Sequence, residues 1–120
     1  MARSNRALER QKRHRRIRKQ VIGSSDRPRL CITKTLRHLY VQIIDDSAGR
    51  TLAQASTLDP SLRGEVTGPN AKTAVRVAAL LVERAGQAGV RAVVFDRGGH
   101  PYHGVVSAFA EECRKGGLQF

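Results

Sequence analysis

Three consecutive segments that alternate apolar and polar residues constrain the fold most. Residues 29–34 (RLCITK) and 38–45 (HLYVQIID) alternate with a period of two, and residues 51–57 (TLAQAST) do so more weakly. Successive side chains of a strand point to opposite faces of a sheet, so this period predicts three half-buried strands. Residues 45–49 (DDSAG) supply turn chemistry between the second and third segments. The pattern therefore predicts that those two strands form a hairpin.

The rest of the chain alternates helical and extended patterns. A helix is predicted from about Asn70 to Ala85, a strand buried on both faces at residues 92–95 (AVVF), and a last helix from about Gly104 to Lys115. The first helix is expected to bury Ala71, Ala74, Val75, Ala78, Leu81, Val82 and Ala85. The last is expected to bury Val106, Phe109, Ala110 and Cys113. The order β-β-β-α-β-α predicts a single α/β domain, in which helices pack on a mixed sheet of about four strands.

The basic charge of the chain is concentrated at its leading end. The formal net charge is +12. Residues 1–29 hold eleven Lys or Arg against two acidic residues, a net of +9, whereas residues 30–120 carry a net of only +3. Such asymmetry points to a polyanionic partner. We therefore predict a basic arm and linker at 1–28 and a globular domain at 29–120.

The arm has the composition of a helix that needs a counter-charge. Residues 4–20 are rich in helix formers, yet seven of the eleven residues 10–20 are Lys or Arg, so a helix there is basic on every side. We expect the arm to become helical on RNA, over about 25 Å at 1.5 Å per residue. Arginine outnumbers lysine nine to two within residues 1–29. Because forked guanidinium groups match phosphates and stack on bases, this favours structured RNA.

A second informative stretch, residues 95–104 (FDRGGHPYHG), joins the last strand to the last helix. Gly98 and Gly99 can adopt left-handed backbone conformations, and their N–H groups could form an anion-binding nest at the start of a helix. Alternatively, the glycines serve only the tight turn. Both interpretations stay open from the residues alone, and the basic arm favours the first.

Several other chemistries lack their sequence patterns. Neither GxxxxGK[ST] nor GxGxxG occurs, which leaves phosphate loops of nucleotide hydrolases unsupported. Cys31 and Cys113 are solitary and suggest reduced thiols of a cytosolic protein rather than a zinc site or a disulfide framework. The longest apolar run, 77–82, is too short to span a membrane.

Two alternative functions compete with RNA binding. Asp45, Asp46 and Asp96 end strands and could hold paired Mg²⁺ in a ribonuclease, although the first two also suit the hairpin turn without any metal. A basic DNA-binding protein is the other alternative, but no helix-turn-helix or zinc-finger pattern is present. A non-catalytic RNA-binding protein is the leading interpretation.

Three motifs make the chain similar to a known family. They are H-x-Y-x-Q-x-I-D-D from His38, A-S-T-L-D from Ala55, and V-F-D-R-G-G-x-x-Y-H-G from Val94. With these the chain resembles the bacterial large-subunit ribosomal protein L-eighteen family from about Arg10 to Phe120. The resemblance implies a ribonuclease H-like fold without nuclease activity, metal or cofactor.

The resemblance also implies a function and a set of partners. The protein would be a structural constituent of the large ribosomal subunit in the cytoplasm. It would bind 5S rRNA and help attach it to 23S rRNA at the central protuberance, beside neighbouring large-subunit proteins. No membrane or small-molecule substrate is implied.

The family typically contacts RNA through the arm, the first hairpin and the glycine turn. Carried onto this chain, the arm contacts are Arg3, Arg6, Arg10, Lys12, Arg13, His14, Arg15, Arg16, Arg18, Lys19, Arg27 and Arg29. The hairpin contacts are Lys34, Arg37, His38 and Tyr40, and the turn contacts are Arg97, Gly98, Gly99, Tyr102 and His103. One departure concerns Leu36, which takes the place of a polar residue of the family and cannot donate or accept a hydrogen bond to RNA through its side chain.

Overall fold

The computed structural model describes residues 6–18, 27–66 and 68–120, with only the backbone for residues 6 and 14–18. Its elements in chain order are α1 (Arg6–Arg18), β1 (Arg29–Lys34), β2 (Leu39–Asp45), β3 (Arg50–Ser56), α2 (Ala71–Gln87), β4 (Val94–Asp96) and α3 (Val105–Lys115). The predicted order β-β-β-α-β-α is confirmed. No described helix has the length and apolar character needed to cross a membrane.

The four strands form one mixed sheet in the order β3-β2-β1-β4. β2 pairs antiparallel with both β1 and β3, whereas β4 runs parallel to β1. Alternate residues of β1 and β2 form the core on one face, where Leu30, Ile32, Leu39, Val41 and Ile43 are fully buried. α2 and α3 pack against each other over this face. The mixed sheet with packed helices is confirmed.

α2 begins where predicted, but its buried stripe differs in part. The Asn70 side chain caps the helix by accepting a hydrogen bond from the Thr73 N–H at 2.9 Å. Val77 is fully buried, whereas Ala71 and Val75 are exposed. The prediction that the latter two face the core is therefore wrong, because two neighbouring apolar stripes fit the helical period and only one of them meets the sheet.

α3 matches its prediction, and β4 does not. Val106, Phe109, Ala110 and Cys113 are buried as expected. Burial raises the pKa of the Cys113 thiol to about 12, so it is an inert core residue. The strand predicted at residues 92–95 is instead the three-residue β4, with Val94 and Phe95 only half-buried. The expectation of burial on both faces fails because β4 lies at an edge of the sheet and the helices cover only one face.

The chain ends beside β4 in a short extended segment. Val93 donates its N–H to the Gln119 carbonyl at 3.0 Å, and Gln119 donates its N–H to the Arg91 carbonyl at 3.0 Å. The Phe120 ring lies 5.3 Å from the ring of Phe95. The C-terminus thereby supports the strand that leads into the glycine turn.

Candidate nucleic-acid interface

A buried ion-pair network fixes the base of the glycine turn. Arg29 Nη1 donates to Asp96 Oδ2 at 2.9 Å, while its Nε and Nη2 donate to the two carboxylate oxygens of Asp46 at 3.1 and 3.2 Å. Asp96 is fully buried and Arg29 is 4% exposed. Burial alone would lower the pKa of Arg29, but the hydrogen bonds to Asp46 and Asp96 outweigh it and the pKa is raised. Arg29 was expected to contact RNA along with the basic arm that precedes it, and we leave it out of the RNA surface because these buried ion pairs engage its side chain.

The same network speaks against the ribonuclease hypothesis. A guanidinium lies between Asp46 and Asp96, where that hypothesis needed Mg²⁺. The third carboxylate, Asp45, accepts hydrogen bonds from the hydroxyl and the N–H of Ser47 at 2.5 and 3.0 Å, and these lower its pKa. Within the described residues, no three His, Cys, Asp or Glu side chains are grouped so as to hold a metal ion.

The glycine turn is built for close packing. Gly98 has a φ of +65°, and a Cβ there would lie 2.6 Å from the Ile32 carbonyl oxygen of β1. The Gly98 N–H donates to Asp96 Oδ1 at 2.9 Å, so it is already engaged in the turn. This arrangement favours the steric interpretation of the two glycines over an anion-binding nest.

Helix α1 lies directly on this turn. Gly99 is buried with a φ of +80°, and a Cβ there would overlap the Arg10 carbonyl oxygen of α1. Arg13 Nε donates to the Gly99 carbonyl oxygen at 3.2 Å. Gly99 therefore permits α1 and the turn to approach backbone to backbone. The expectation that RNA orders the arm stays a prediction, and these contacts give α1 a defined position.

The turn between β1 and β2 forms the adjacent part of the surface. Thr35 donates its N–H to the His38 carbonyl at 2.9 Å, and the Thr35 hydroxyl accepts the His38 N–H at 3.1 Å. These bonds close the turn and leave Leu36 and Arg37 at its tip, with Leu36 91% exposed. The His38 ring is held by the Thr57 hydroxyl at 2.9 Å from Nδ1.

The sheet face opposite the helices continues from this hairpin. Tyr40 is half-buried on that face, with its ring 6.1 Å from the His38 ring in an edge-on arrangement. Gln42 and Gln54 are exposed beside it and oppose each other across β2 and β3. These groups extend the surface with amide and aromatic side chains.

A residue of α3 contacts the segment that follows the glycine turn. Arg114 Nη1 donates to the Tyr102 hydroxyl at 2.9 Å, and the Arg114 guanidinium lies 4.4 Å from the centre of the Phe120 ring. Tyr102 remains 40% exposed. Its hydroxyl is engaged by Arg114, and its ring packs edge-on against Phe95 with the ring centres 6.4 Å apart.

The predicted site residues divide into three groups. Those with described side chains that are partly or fully exposed are Arg10, Lys12, Arg13, Arg27, Lys34, Arg37, His38, Tyr40, Arg97, Tyr102 and His103. Those engaged in packing or buried ion pairs are Arg29, Gly98 and Gly99. Arg3 and Lys19 lie outside the described residues, and for Arg6, His14, Arg15, Arg16 and Arg18 only the helical backbone is described.

Three further residues support the surface and were not among the predicted contacts. His100 Nε2 accepts the Lys34 N–H at 3.3 Å and joins the glycine turn to the end of β1. Thr57 positions His38, and Arg114 positions Tyr102. His100 stands in the glycine-turn motif, but no spacing in the sequence places it beside Lys34, 66 residues away.

Comparison with known proteins decides the family. A profile described as "Ribosomal L18 of archaea, bacteria, mitoch. and chloroplast" matches residues 4–120. The chain belongs to the ribosomal L18 family. Large ribosomal subunit protein uL18 of Thermoanaerobacter sp. (strain X514) is 51% identical over 116 residues, 97% of this chain and 96% of the relative. The proteins of the same name from Aquifex aeolicus and Thermotoga petrophila are each 50% identical, covering 93% of both chains.

Membership of the ribosomal L18 family sets the class of function. The chain is a ribosomal protein, structural rather than enzymatic, and its place is the cytoplasmic ribosome. The predicted absence of enzymatic activity is thereby confirmed. The ribonuclease hypothesis is dropped, in agreement with the guanidinium that lies between Asp46 and Asp96.

Proposed function

We propose that this L18 protein is a constituent of the large ribosomal subunit that binds 5S rRNA and helps attach it to 23S rRNA at the central protuberance. The observation that supports RNA binding most strongly is the position of α1 on the glycine turn. Because Gly99 meets the backbone of α1 at Arg10, α1 lies beside the glycine turn, which the hydrogen bond from the Lys34 N–H to His100 joins to the first hairpin. We take these three adjacent elements together as the RNA surface.

The charge of this surface suits a phosphate backbone. Arg10, Lys12 and Arg13 of α1 and Lys34 and Arg37 of the hairpin are all partly or fully exposed. Each cation that contacts a phosphate releases counterions from the RNA, which supplies sequence-independent affinity. The aromatic rings of His38 and Tyr40 add groups on which unpaired bases stack. The surface therefore suits a folded RNA with both helical and unpaired parts.

Capture of cellular RNA tests the first half of this proposal. The purified full chain is crosslinked to total bacterial RNA, and the captured species are sized and sequenced. We expect 5S rRNA to be enriched over transfer RNA, which serves as a control because it is also a small folded RNA. Equal recovery of both RNAs, or equal competition by duplex DNA, would contradict the proposal.

The attachment to 23S rRNA requires a separate experiment. The preformed complex of this protein with a 5S rRNA transcript is mixed with 23S rRNA and followed by gel mobility. We expect the complex to associate with 23S rRNA more tightly than free 5S rRNA does. If the protein makes no difference, its function is confined to 5S rRNA binding.

A further inference from the structure

An open cleft lies where α1, the end of β1 and the glycine turn meet. Its volume is about 670 Å³, and its lining comprises Arg10, Thr33, Lys34, Thr35, Leu36 and His100. Small-ligand sites in proteins span about 300 to 1,000 Å³, so one nucleotide fits within it. The cleft opens on the surface proposed above for RNA.

The lining combines cationic, apolar and aromatic groups. Arg10 and Lys34 supply positive charge from two different elements, and no acidic side chain is among the lining residues. The Leu36 side chain is 91% exposed. The His100 ring is held by the hydrogen bond from the Lys34 N–H. A single exposed leucine is ordinary on a protein surface, but one that lines a cleft together with an imidazole and two cationic side chains suits an unstacked base and its phosphates.

The turn fixes the backbone at Leu36 before any ligand arrives. The Thr35 hydroxyl and N–H both bond to the backbone of His38, which fixes the four-residue turn. Leu36 contributes almost nothing to the protein core, because nearly all of its surface is in water. Its apolar surface is therefore available to a ligand, and binding has to order only its side-chain rotamer, at a cost of about 0.5 to 1 kcal/mol.

We propose that this cleft takes one unstacked nucleotide of the bound RNA, with its base against Leu36 and His100 and its phosphates against Arg10 and Lys34. This inference rests on the proposed function and adds a base-level contact to it. Sequence-specific RNA recognition generally targets bases that are splayed out of loops and stacked on protein side chains. The backbone contacts position the RNA, and the cleft selects a place where a base is unpaired.

Two variants of Leu36 and a matched control test the proposal. Leu36→Ser removes the apolar side chain from the wall of the cleft, and Leu36→Phe replaces it with a larger apolar side chain. Val75→Ser is the control, because it puts serine in place of an exposed apolar residue of α2 that lies outside the cleft. Each full-length protein is titrated into a 5S rRNA transcript, and base-specific chemical modification is read along the RNA. Thermal melting checks that all three variants fold.

We expect the wild-type protein to protect one unpaired base from modification. Leu36→Ser should weaken the Kd about tenfold and restore the reactivity of that base, because burial of one leucine side chain against a ligand contributes roughly this factor. Leu36→Phe and Val75→Ser should keep both the affinity and the protection. Arg10→Gln should lower the slope of log K against log salt by about one, which is the contribution of one phosphate contact.

The outcomes separate the cleft from the general function. If Leu36→Ser binds 5S rRNA like the wild type, or weakens binding while the protected base stays protected, no base occupies the cleft and the inference is overturned. A protein segment as the true occupant would give that result as well. If the wild-type protein prefers 5S rRNA over transfer RNA without protecting any single base, the cleft proposal fails while the proposed function stands. If it shows no such preference, both fail.

Discussion

The substitution Gly99→Ala tests whether α1 and the glycine turn form one surface. A methyl group at residue 99 would overlap the Arg10 carbonyl oxygen, and rotation of a side chain cannot relieve an overlap with backbone. α1 would have to move by about 1 Å to restore an ordinary contact distance. The hydrogen bond from Arg13 Nε to the Gly99 carbonyl would then break, at a cost of about 1 kcal/mol.

The same substitution also strains the turn itself, and the two effects must be separated. Gly99 has a φ of +80°, where a residue with a Cβ is disfavoured by about 1 to 2 kcal/mol. Gly49, in the turn between β2 and β3, has a φ of +65°, and a methyl group added there would have no atom within 4 Å. Gly49→Ala therefore imposes similar backbone strain without touching α1. Both variants should lower Tm by about 5 to 10 °C in a domain of this size.

RNA affinity distinguishes the two variants. If Gly99→Ala leaves about a tenth of the molecules with α1 in its binding position, the Kd for 5S rRNA rises about tenfold. Gly49→Ala should bind like the wild type. Fluorescence anisotropy of a labelled 5S transcript at fixed salt measures both values. Equal affinities of the two variants would refute the reasoning, because α1 would then contribute to binding without the glycine turn.

Three more predictions follow from charge and pH. RNA binding should weaken on the order of 10³-fold between 50 and 200 mM salt if six or more phosphates are contacted. Replacing Arg10, Lys12 and Arg13 by Gln should lower the slope of log K against log salt by two to three, roughly one per contact. An unchanged slope would exclude α1 as a phosphate contact. Asp96→Asn should destabilise the protein by about 3 kcal/mol in urea unfolding, because it removes one charged partner of the buried Arg29. Asp46→Asn should destabilise it less, since Asp46 is partly exposed. The opposite order of the two unfolding free energies would contradict the ion-pair network. The Arg84 guanidinium and the Ser61 hydroxyl lower the pKa of Asp59 to about 2 from its ordinary value of 3.8, so its stabilising contribution is complete above about pH 4 and is lost as the pH falls towards 2. The unfolding free energy of Asp59→Asn should therefore depend less on pH over that range, and parallel curves for the two proteins would disprove the pairing.

Local patterns predict most of the elements, because the forces that define them are local. The period of two places β1 and β2 almost to the residue, and the helical period of α3 identifies each of its four buried residues. α2 shows the limit of prediction from local patterns. Val75 and Val77 are both apolar, and the choice between them depends on where the sheet lies, which no local pattern contains.

The candidate site is predictable at the level of segments and not of individual contacts. The charge of the arm and the glycines of the turn point to two segments, and the structure brings α1 of the first against Gly99 of the second. That both contact RNA stays a prediction. Arg29 belongs to the basic run and so suggests an RNA contact, yet its partners Asp46 and Asp96 lie 17 and 67 residues further along the chain. Gly98 and Gly99 stand out in the sequence, but only the fold shows that their missing side chains make room for β1 and α1.

The most direct test of the central claim is directed cleavage of RNA from two points of the proposed surface. An iron chelate that generates hydroxyl radicals is attached at Gln11→Cys in α1, at Thr33→Cys in β1, or at the control Gln87→Cys at the end of α2, all in a Cys31→Ser background. All three positions are exposed. We predict that the first two probes cut overlapping stretches of 5S rRNA and that the control probe cuts weakly or elsewhere. Cleavage at separate, unrelated stretches from Gln11→Cys and Thr33→Cys would contradict the account, because α1 and the hairpin would then not face the RNA together.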